Sequence, residues 1–438
     1  GWGGVAAPAA AGSPASALPC SSRRRLIVMG SGLPDNAGIA FKDRPMLPHP
    51  TAARVSAIEP FHAMALFRRA DAMAAEGRSI IQMSVGEPDF TAPPAVVAAL
   101  DRAVAEGRTR YTSYSGIAPL REAISAHYRR VHGLDVPASR ILVTAGASGA
   151  LQLACALLVD VGAEVLMPDP TYPCNRHFVS AVDGTTRLIP AGPEKRFQLD
   201  GDDVRRHWGP RTRGVMLASP SNPTGTTIAP EVLADVLAAV RERQGFLVFD
   251  EIYNQLTYGG PVPRSALALG DDVIVINSFS KYFCMTGWRL GWLVLPEALV
   301  PAAEKLAMNL FICPPATAQY AALGCFEPES LAIYEERRAE FARRRDYLVP
   351  ALRGLGLDIP TEPDGAFYVY ADVSRFGLSG EDFANRLLDE AGVCVVPGMD
   401  FGVHERDRWV RFTYATSMER LQEAVARIGA FLQGLPGR

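Results

Sequence analysis

The sequence lacks an excess of charge of either sign, any pattern among its cysteines, and any apolar run long enough to cross a bilayer. Its 44 Lys and Arg stand against 47 Asp and Glu, a formal net charge of −3. That balance gives no support to a binder of nucleic acid or another polyanion. The seven cysteines, at 20, 155, 174, 284, 313, 325 and 394, are odd in number and scattered. They make no C-x-x-C pair and no metal-ligand spacing, so neither a disulfide framework nor a metal is expected. Such usage belongs to a reducing, cytoplasmic setting. No apolar run approaches the roughly 20 residues of a membrane helix. The first methionine is Met29, and the apolar part of "SSRRRLIVMG" (21–30) is too short for a signal peptide. Residues 1–50, rich in Pro and Gly with few large apolar residues, are expected to be a disordered leader. A transit peptide is the alternative, since the first 28 residues carry no acidic side chain.

What is present is enough apolar material for a large core: 438 residues, 48% hydrophobic. That length suggests two domains of ordinary size, or one large α/β domain with a smaller companion. A helical period runs through 51–77, with Ile58, Met64, Phe67 and Met73 roughly on one side and Gly77 as a stop. The middle alternates apolar strands, "ILVTAG" (141–146), "EVLMPD" (164–169), "RGVMLA" (213–218), "FLVFDE" (246–251), "VIVINS" (273–278) and "GWLVLP" (291–296), with amphipathic helices such as 150–162 and 230–245. Short continuous apolar strands between helices predict a mostly parallel sheet covered on both faces. From 330 onward the pattern changes to a long helix over 330–356, "AFYVYADV" (366–373), a helix near 380–391, "VCVVPG" (393–398), "WVRFTYA" (409–415) and a closing helix. That reads as a smaller α+β domain, joined by the helix of 51–77. The expected division is a leader over 1–50, a small-domain segment over 51–85, a large cofactor-binding domain over 86–325 and the small C-terminal domain over 326–438.

Open parallel sheets bind ligands beyond the carboxyl ends of their strands, and the polar signals of this chain collect there. "TAGASGAL" (144–151) offers small residues and a helix start to an anion, although such a stretch is commonly a plain turn. "DPTYP" (169–173) puts an aromatic, Tyr172, at a strand end. "SPSNPTG" (219–225) holds Asn222 between two X-Pro bonds. Asp250 follows four apolar residues, so its carboxylate needs a cation. "SFSKYFCMTGWRLG" (278–291) then adds Lys281 and Arg289, two cations that need anionic partners. One ligand fits the whole series: pyridoxal phosphate. Its aldehyde takes a lysine, its ring nitrogen a buried carboxylate, and its phosphate a helix start and an arginine fork.

With "SVGEPDF" (84–90), "YTSYSGIAPLREAI" (111–124) and "DEIY" (250–253) in the same order, the chain resembles the class I/II pyridoxal phosphate-dependent aminotransferases of the aspartate aminotransferase superfamily. The resemblance covers about residues 55–435. It implies a type I fold: an α/β large domain with a mostly parallel seven-stranded sheet covered by helices, plus a smaller α+β domain built from both chain ends. It also implies transfer of an amino group from an L-amino acid to a 2-oxo acid by ping-pong turnover. Carried over by position, Lys281 would form the Schiff base and shuttle the proton. Asp250 would pair with the ring nitrogen, and Asn222 and Tyr253 would donate to the 3′ oxygen. Tyr172 would stack on the ring. Gly146, Ala147, Ser148, Ser278 and Arg289 would form the phosphate cradle. Tyr111 would reach the phosphate of a partner subunit, which implies a homodimer with shared sites. Gly86, Asn222 and Arg411 would hold the substrate, Arg411 gripping its carboxylate.

A lyase on the same scaffold, of the β-lyase or aminocyclopropane-carboxylate synthase type, would use the same cofactor residues and stays open as the alternative. A regulator using this domain as a sensor would need an N-terminal helix-turn-helix, which the first 50 residues do not spell. The substrate side chain is not readable: Arg54, Arg110 and Lys195 are all candidates for a second cation, with no spacing to favour one. The lack of an obvious second arginine motif leans toward a neutral or aromatic donor.

Overall fold

The computed structural model describes residues 51–60 and 62–435. The expected leader lies outside them. Twelve strands follow in chain order: β1 (Ile81–Gln82), β2 (Ile141–Thr144), β3 (Glu164–Asp169), β4 (Thr185–Pro190), β5 (Thr212–Ala218), β6 (Phe246–Asp250), β7 (Ile274–Ser278), β8 (Gly291–Val294), β9 (Tyr368–Asp372), β10 (Val393–Cys394), β11 (Val396–Pro397) and β12 (Trp409–Thr413).

Seven of them form one sheet in the order β2-β8-β7-β6-β5-β3-β4. Only β8 runs against its neighbours, pairing antiparallel with both β2 and β7. The others run parallel. Successive side chains of a strand point to opposite faces, and here both faces are dry. Val165 and Met167, Met216, Val248, Ile274 and Ile276 pack into one core. Their alternates Leu166, Val215 and Leu217, Leu247 and Phe249, and Val275 pack into the other. This double burial is why the strands read as continuous apolar runs. The edge strand β4 escaped sequence reading because it is half-wet, with only Ile189 buried.

The remaining strands make a three-stranded antiparallel sheet, β11-β12-β9, and a parallel pair, β1-β10. Residues 81–82 therefore pair with the C-terminal third, not with the seven-stranded sheet. "VCVVPG" is likewise two short strands serving two sheets, not one. Helices Pro328–Gly354, Gly380–Ala391 and Met418–Gln433 cover them. The second starts at Ser379, whose hydroxyl accepts from the Asp382 N–H at 3.0 Å.

The helix expected over 51–77 is split. A 3-10 turn covers Ala53–Ala57 and the α-helix begins at His62, after Pro60. Its buried side is Ala63, Leu66 and Ala70, while Ile58 and Met64 are exposed. The break at Pro60 shifts the phase, so residues on its two sides do not share a face. Among the described residues, no helix is long and apolar enough to cross a membrane.

Candidate active site

Because β2, β3, β5, β6 and β7 are parallel, their carboxyl ends share one edge. Asp250 is the last residue of β6, and Lys281 lies three residues past β7. Arg289 reaches the same edge by a different route. It precedes β8, whose reversed direction brings its amino end there. At this edge lies a cavity of about 430 Å³. Gly86, Ala147, Ser148, Tyr172, Asn222, Asp250, Tyr253, Lys281, Arg289 and Arg411 all line it. Ten residues dispersed over 326 positions of sequence thus meet around one space.

Three expected residues stand apart. Gly146 does not face the cavity but starts the helix Gly146–Leu158 with φ +74, and a Cβ there would meet Arg289 Nη2 at 2.6 Å. Glycine is what lets the guanidinium lie against the helix start. Ser278, expected on the phosphate, is turned away. Its hydroxyl donates to the Leu290 carbonyl at 3.0 Å and accepts from the Ser280 N–H at 3.1 Å. Ser280, two residues on, lines the cavity instead. Tyr111 is 81% exposed and does not line the cavity of this chain.

Lys281 Nζ donates to the Gly86 carbonyl at 2.5 Å. Burial, with help from the Arg289 and Arg411 charges, pulls its pKa down from the ordinary 10.5 to about 8, against the upward pull of Glu87. Asp250 is 5% exposed, and its Oδ1 accepts from the Ile252 N–H at 3.0 Å. Burial pushes its pKa up to about 6, and Lys281 only partly offsets this.

Arg411, on β12, is buried and held through both of its terminal nitrogens. Nη1 donates to Asn222 Oδ1 at 2.8 Å and Nη2 to the Ser84 carbonyl at 2.5 Å. Its guanidinium carbon lies 4.5 Å from the Tyr368 ring centroid and 4.9 Å from that of Phe401. An arginine can only donate, so Asn222 is locked with its oxygen toward Arg411 and its amide N–H groups left for a ligand.

Sequence reasoning missed Tyr368, whose hydroxyl bonds that of Tyr253 at 2.7 Å and would sit 2.7 Å from a Cβ on Gly86. In "AFYVYADV" it looks like one more apolar strand residue. It also missed the apolar wall of Ala63, Met64 and Phe67. None of the three candidate second cations lines the cavity. Arg54 is paired with Asp183 at 2.8 Å, and Lys195 with Asp200 and Asp203 at 2.7 and 2.8 Å.

These residues fit pyridoxal phosphate on two counts and its amino-acid substrate on a third. Asp250 is a buried carboxylate still short of a cation. The glycine-spaced helix start at 146 faces an arginine, a combination that suits a phosphate. Arg411 Nε is buried with no partner, which an incoming carboxylate can supply.

The model for aminotransferase class I and II matches residues 78–428. The valine–pyruvate aminotransferase of Mycobacterium tuberculosis is 39% identical over 376 residues, 86% of this chain and 97% of that one. The aspartate/prephenate aminotransferase of Thermus thermophilus is 35% identical over 381 residues, 86% and 98% of the two chains. The fold superposes on the crystal structure of an aminotransferase from Mycobacterium tuberculosis with a TM-score of 0.85 at 38% identity. That match covers 88% of this chain and 99% of the other.

Proposed function

Since this chain belongs to the class I and II aminotransferases, and is thereby an enzyme of the transaminase class, we propose that it moves the amino group of a neutral, apolar L-amino acid to a small 2-oxo acid, with pyridoxal phosphate held on Lys281. The lyase alternative is not favoured, because the matched relatives are named as aminotransferases. The observation that carries the donor class is the cavity wall. Ala63, Met64, Phe67, Val85 and Ile252 line it, and its only two arginines, Arg289 and Arg411, have other work. The relative named as a valine–pyruvate aminotransferase supports the same choice.

When bound, pyridoxal phosphate supplies an aldehyde for amine condensation and a ring that accepts the electrons left when the α-proton departs. The chain's residues do the rest. Among the described residues Lys281 is the one lysine at the cavity. With a pKa of about 8 its amine is part-neutral near pH 8, so Nζ can take the α-proton of the donor and return a proton in the reverse direction. Asp250 would hold the ring nitrogen protonated. Ser148, Ser280 and Arg289, with the helix start at Gly146, would hold the phosphate. Tyr172 would lie against the ring, and Asn222 and Tyr253 would donate to its 3′ oxygen. Arg411 would take the carboxylate of each substrate in turn, the first product leaving before the second substrate binds, as ping-pong turnover requires.

The part of the chain around the seven-stranded sheet, 86–325, would be the cofactor-holding domain, with 51–85 and 326–438 closing over it. A homodimer completes the reading: Tyr111, Leu310 and Ile312 are large and more than half exposed, as expected of a surface covered by a second copy. The scattered cysteines support a cytoplasmic setting.

The test is a screen of amino donors against pyruvate and 2-oxoglutarate. Valine, leucine or another apolar donor should exceed aspartate by at least about tenfold in kcat/KM. A preference for aspartate would overturn the donor class and leave transamination standing.

Arg411→Lys should raise KM for amino and oxo acids alike. A guanidinium meets a carboxylate with two parallel N–H bonds, whereas an ammonium is a point charge. The variant also unties Asn222 and Ser84. The expected loss is about 10- to 100-fold in kcat/KM, ~1.4 to 2.7 kcal/mol, in both half-reactions. Weakening of one substrate only would make Arg411 a reader of side chains.

A further inference from the structure

The helix His62–Ala75 that carries Ala63, Met64 and Phe67 has no acidic residue in its own first turn. The anion at its amino end comes instead from Asp400, 338 residues away. Asp400 is 2% exposed. Its Oδ1 accepts from the His62 N–H at 2.9 Å and its Oδ2 from the Ala63 N–H at 2.6 Å, with His62 Nδ1 also 2.9 Å from Oδ1. Both carboxylate oxygens are thus spent on one helix start, where an anion is favoured twice over, by the free N–H groups and by the helix dipole. Other ties of this segment, Arg54 to Asp183, Glu59 to Arg176 and Arg69 to Asn385 and Asp389, each have a partner well open to water and contribute little.

The next residue serves a different wall. Phe401 lies against the Arg411 guanidinium, and it is fixed separately: its carbonyl accepts from the Thr171 N–H at 2.8 Å. Asp169, at the end of β3, accepts from the N–H groups of Val403 and His404, both at 3.0 Å. One short loop therefore carries two separate hydrogen-bonded ties, one to the apolar wall and one to the carboxylate grip, while Ala63 and Phe401 pack in one small apolar cluster.

We propose that Asp400 is a positioning residue for the donor's side chain, fixing the helix that presents Met64 and Phe67 to the cavity without setting the grip of Arg411. The role rests on the reading of an apolar donor. An alanine donor uses the grip and little of the wall. A valine or leucine donor uses both. Asp400→Asn keeps the size but offers an N–H₂ group where a helix N–H needs an acceptor.

The holoenzyme and its Asp400→Asn variant are compared in two ways. Hydrogen exchange at the amides of 62–66 should quicken at least about tenfold in the variant. In steady state over alanine, valine and leucine with 2-oxobutyrate, a small acceptor that is the product of none of the three donors, the preference for valine and leucine over alanine should fall at least about fivefold, mainly in KM. Alanine itself should stay within about threefold of wild type. Met64→Ala should erode the same preference without changing the exchange. Should Asp400→Asn fail to fold, Asp400→Glu, which keeps the charge but moves it by a methylene, is measured in the same way. A preference preserved in the variant overturns the role of Asp400 and leaves the donor reading intact. So does a loss shared equally by alanine and valine, which marks a helix cap with no part in selection. A wild type that prefers no apolar donor overturns the donor reading, and this role with it.

Discussion

Replacing Lys281 by alanine is expected to leave a folded protein that holds pyridoxal phosphate only non-covalently and turns over at least about 10⁴-fold more slowly, ~5.4 kcal/mol in barrier. Among the described residues Lys281 alone of the lysines lines the cavity, and its amine sits between the Gly86 carbonyl and the Tyr253 ring. Borohydride treatment followed by peptide mass analysis should fix the cofactor on the peptide containing Lys281 in the wild type and on no peptide in the variant. Cofactor still fixed in the variant, or turnover within tenfold, would remove Lys281 from this role. The same substitution has a signature in stability. Between its folded pKa of about 8 and the ordinary 10.5, the lysine is neutral in the fold and protonated when unfolded. The unfolded chain then binds more protons, so stability rises with pH through that window. The cofactor-free wild type should gain in Tm from pH 8 toward pH 10.5 relative to Lys281→Ala, and the difference should level off outside it.

Lys281, Asp250 and Asn222 were legible in sequence because a buried parallel strand announces itself as an apolar run, and whatever polar residue ends it must lie at the ligand edge. Arg289 obeys the same logic through the reversed strand, β8, which starts at that edge, so the chain is still there eight residues after Lys281. What the sequence hid depends on phase and on distant partners. Ser278 and Ser280 differ by one strand repeat, and the turn after β7 decides which hydroxyl faces the cavity. Pro60 resets the helical phase, so Met64 and Ile58, expected roughly on one side of one helix, do not share a face, and Met64 belongs to a wall of the site. Tyr368 and Phe401 carry no polar pattern of their own. They matter because β9 and the loop after β11 bring their rings against the Arg411 guanidinium. Asp400 gives no local hint of its helix, since the two are joined only by the fold.

Asp250→Asn should bind the cofactor and fold, yet lose about 10²- to 10³-fold in kcat, ~2.7 to 4.1 kcal/mol. The carboxylate is buried, one oxygen is occupied by the Ile252 N–H, and burial holds its pKa near 6. Such a group is poised to take a cation, and a protonated ring nitrogen is the cation the proposed cofactor brings. An asparagine can keep the bond from Ile252 through its oxygen, but it turns N–H groups toward the ring and so disfavours the proton there. Without that proton the ring accepts electrons poorly, and the α-proton leaves slowly however well Lys281 is placed. A kcat within tenfold of wild type, ~1.4 kcal/mol, would deny Asp250 this function. Stability should move the opposite way. Between the ordinary 3.8 and about 6 the folded carboxyl keeps a proton that the unfolded chain has released, so the cofactor-free wild type loses stability as pH rises through that window. The asparagine variant carries no such penalty. Without cofactor, its Tm relative to wild type should be higher at pH 7 than at pH 4. With cofactor bound the gain should shrink, because the wild-type carboxylate then has its cation. A variant whose cofactor-free Tm shows no such pH-dependent gain would mean that Asp250 is already compensated by the protein, and that the ring nitrogen finds its proton elsewhere.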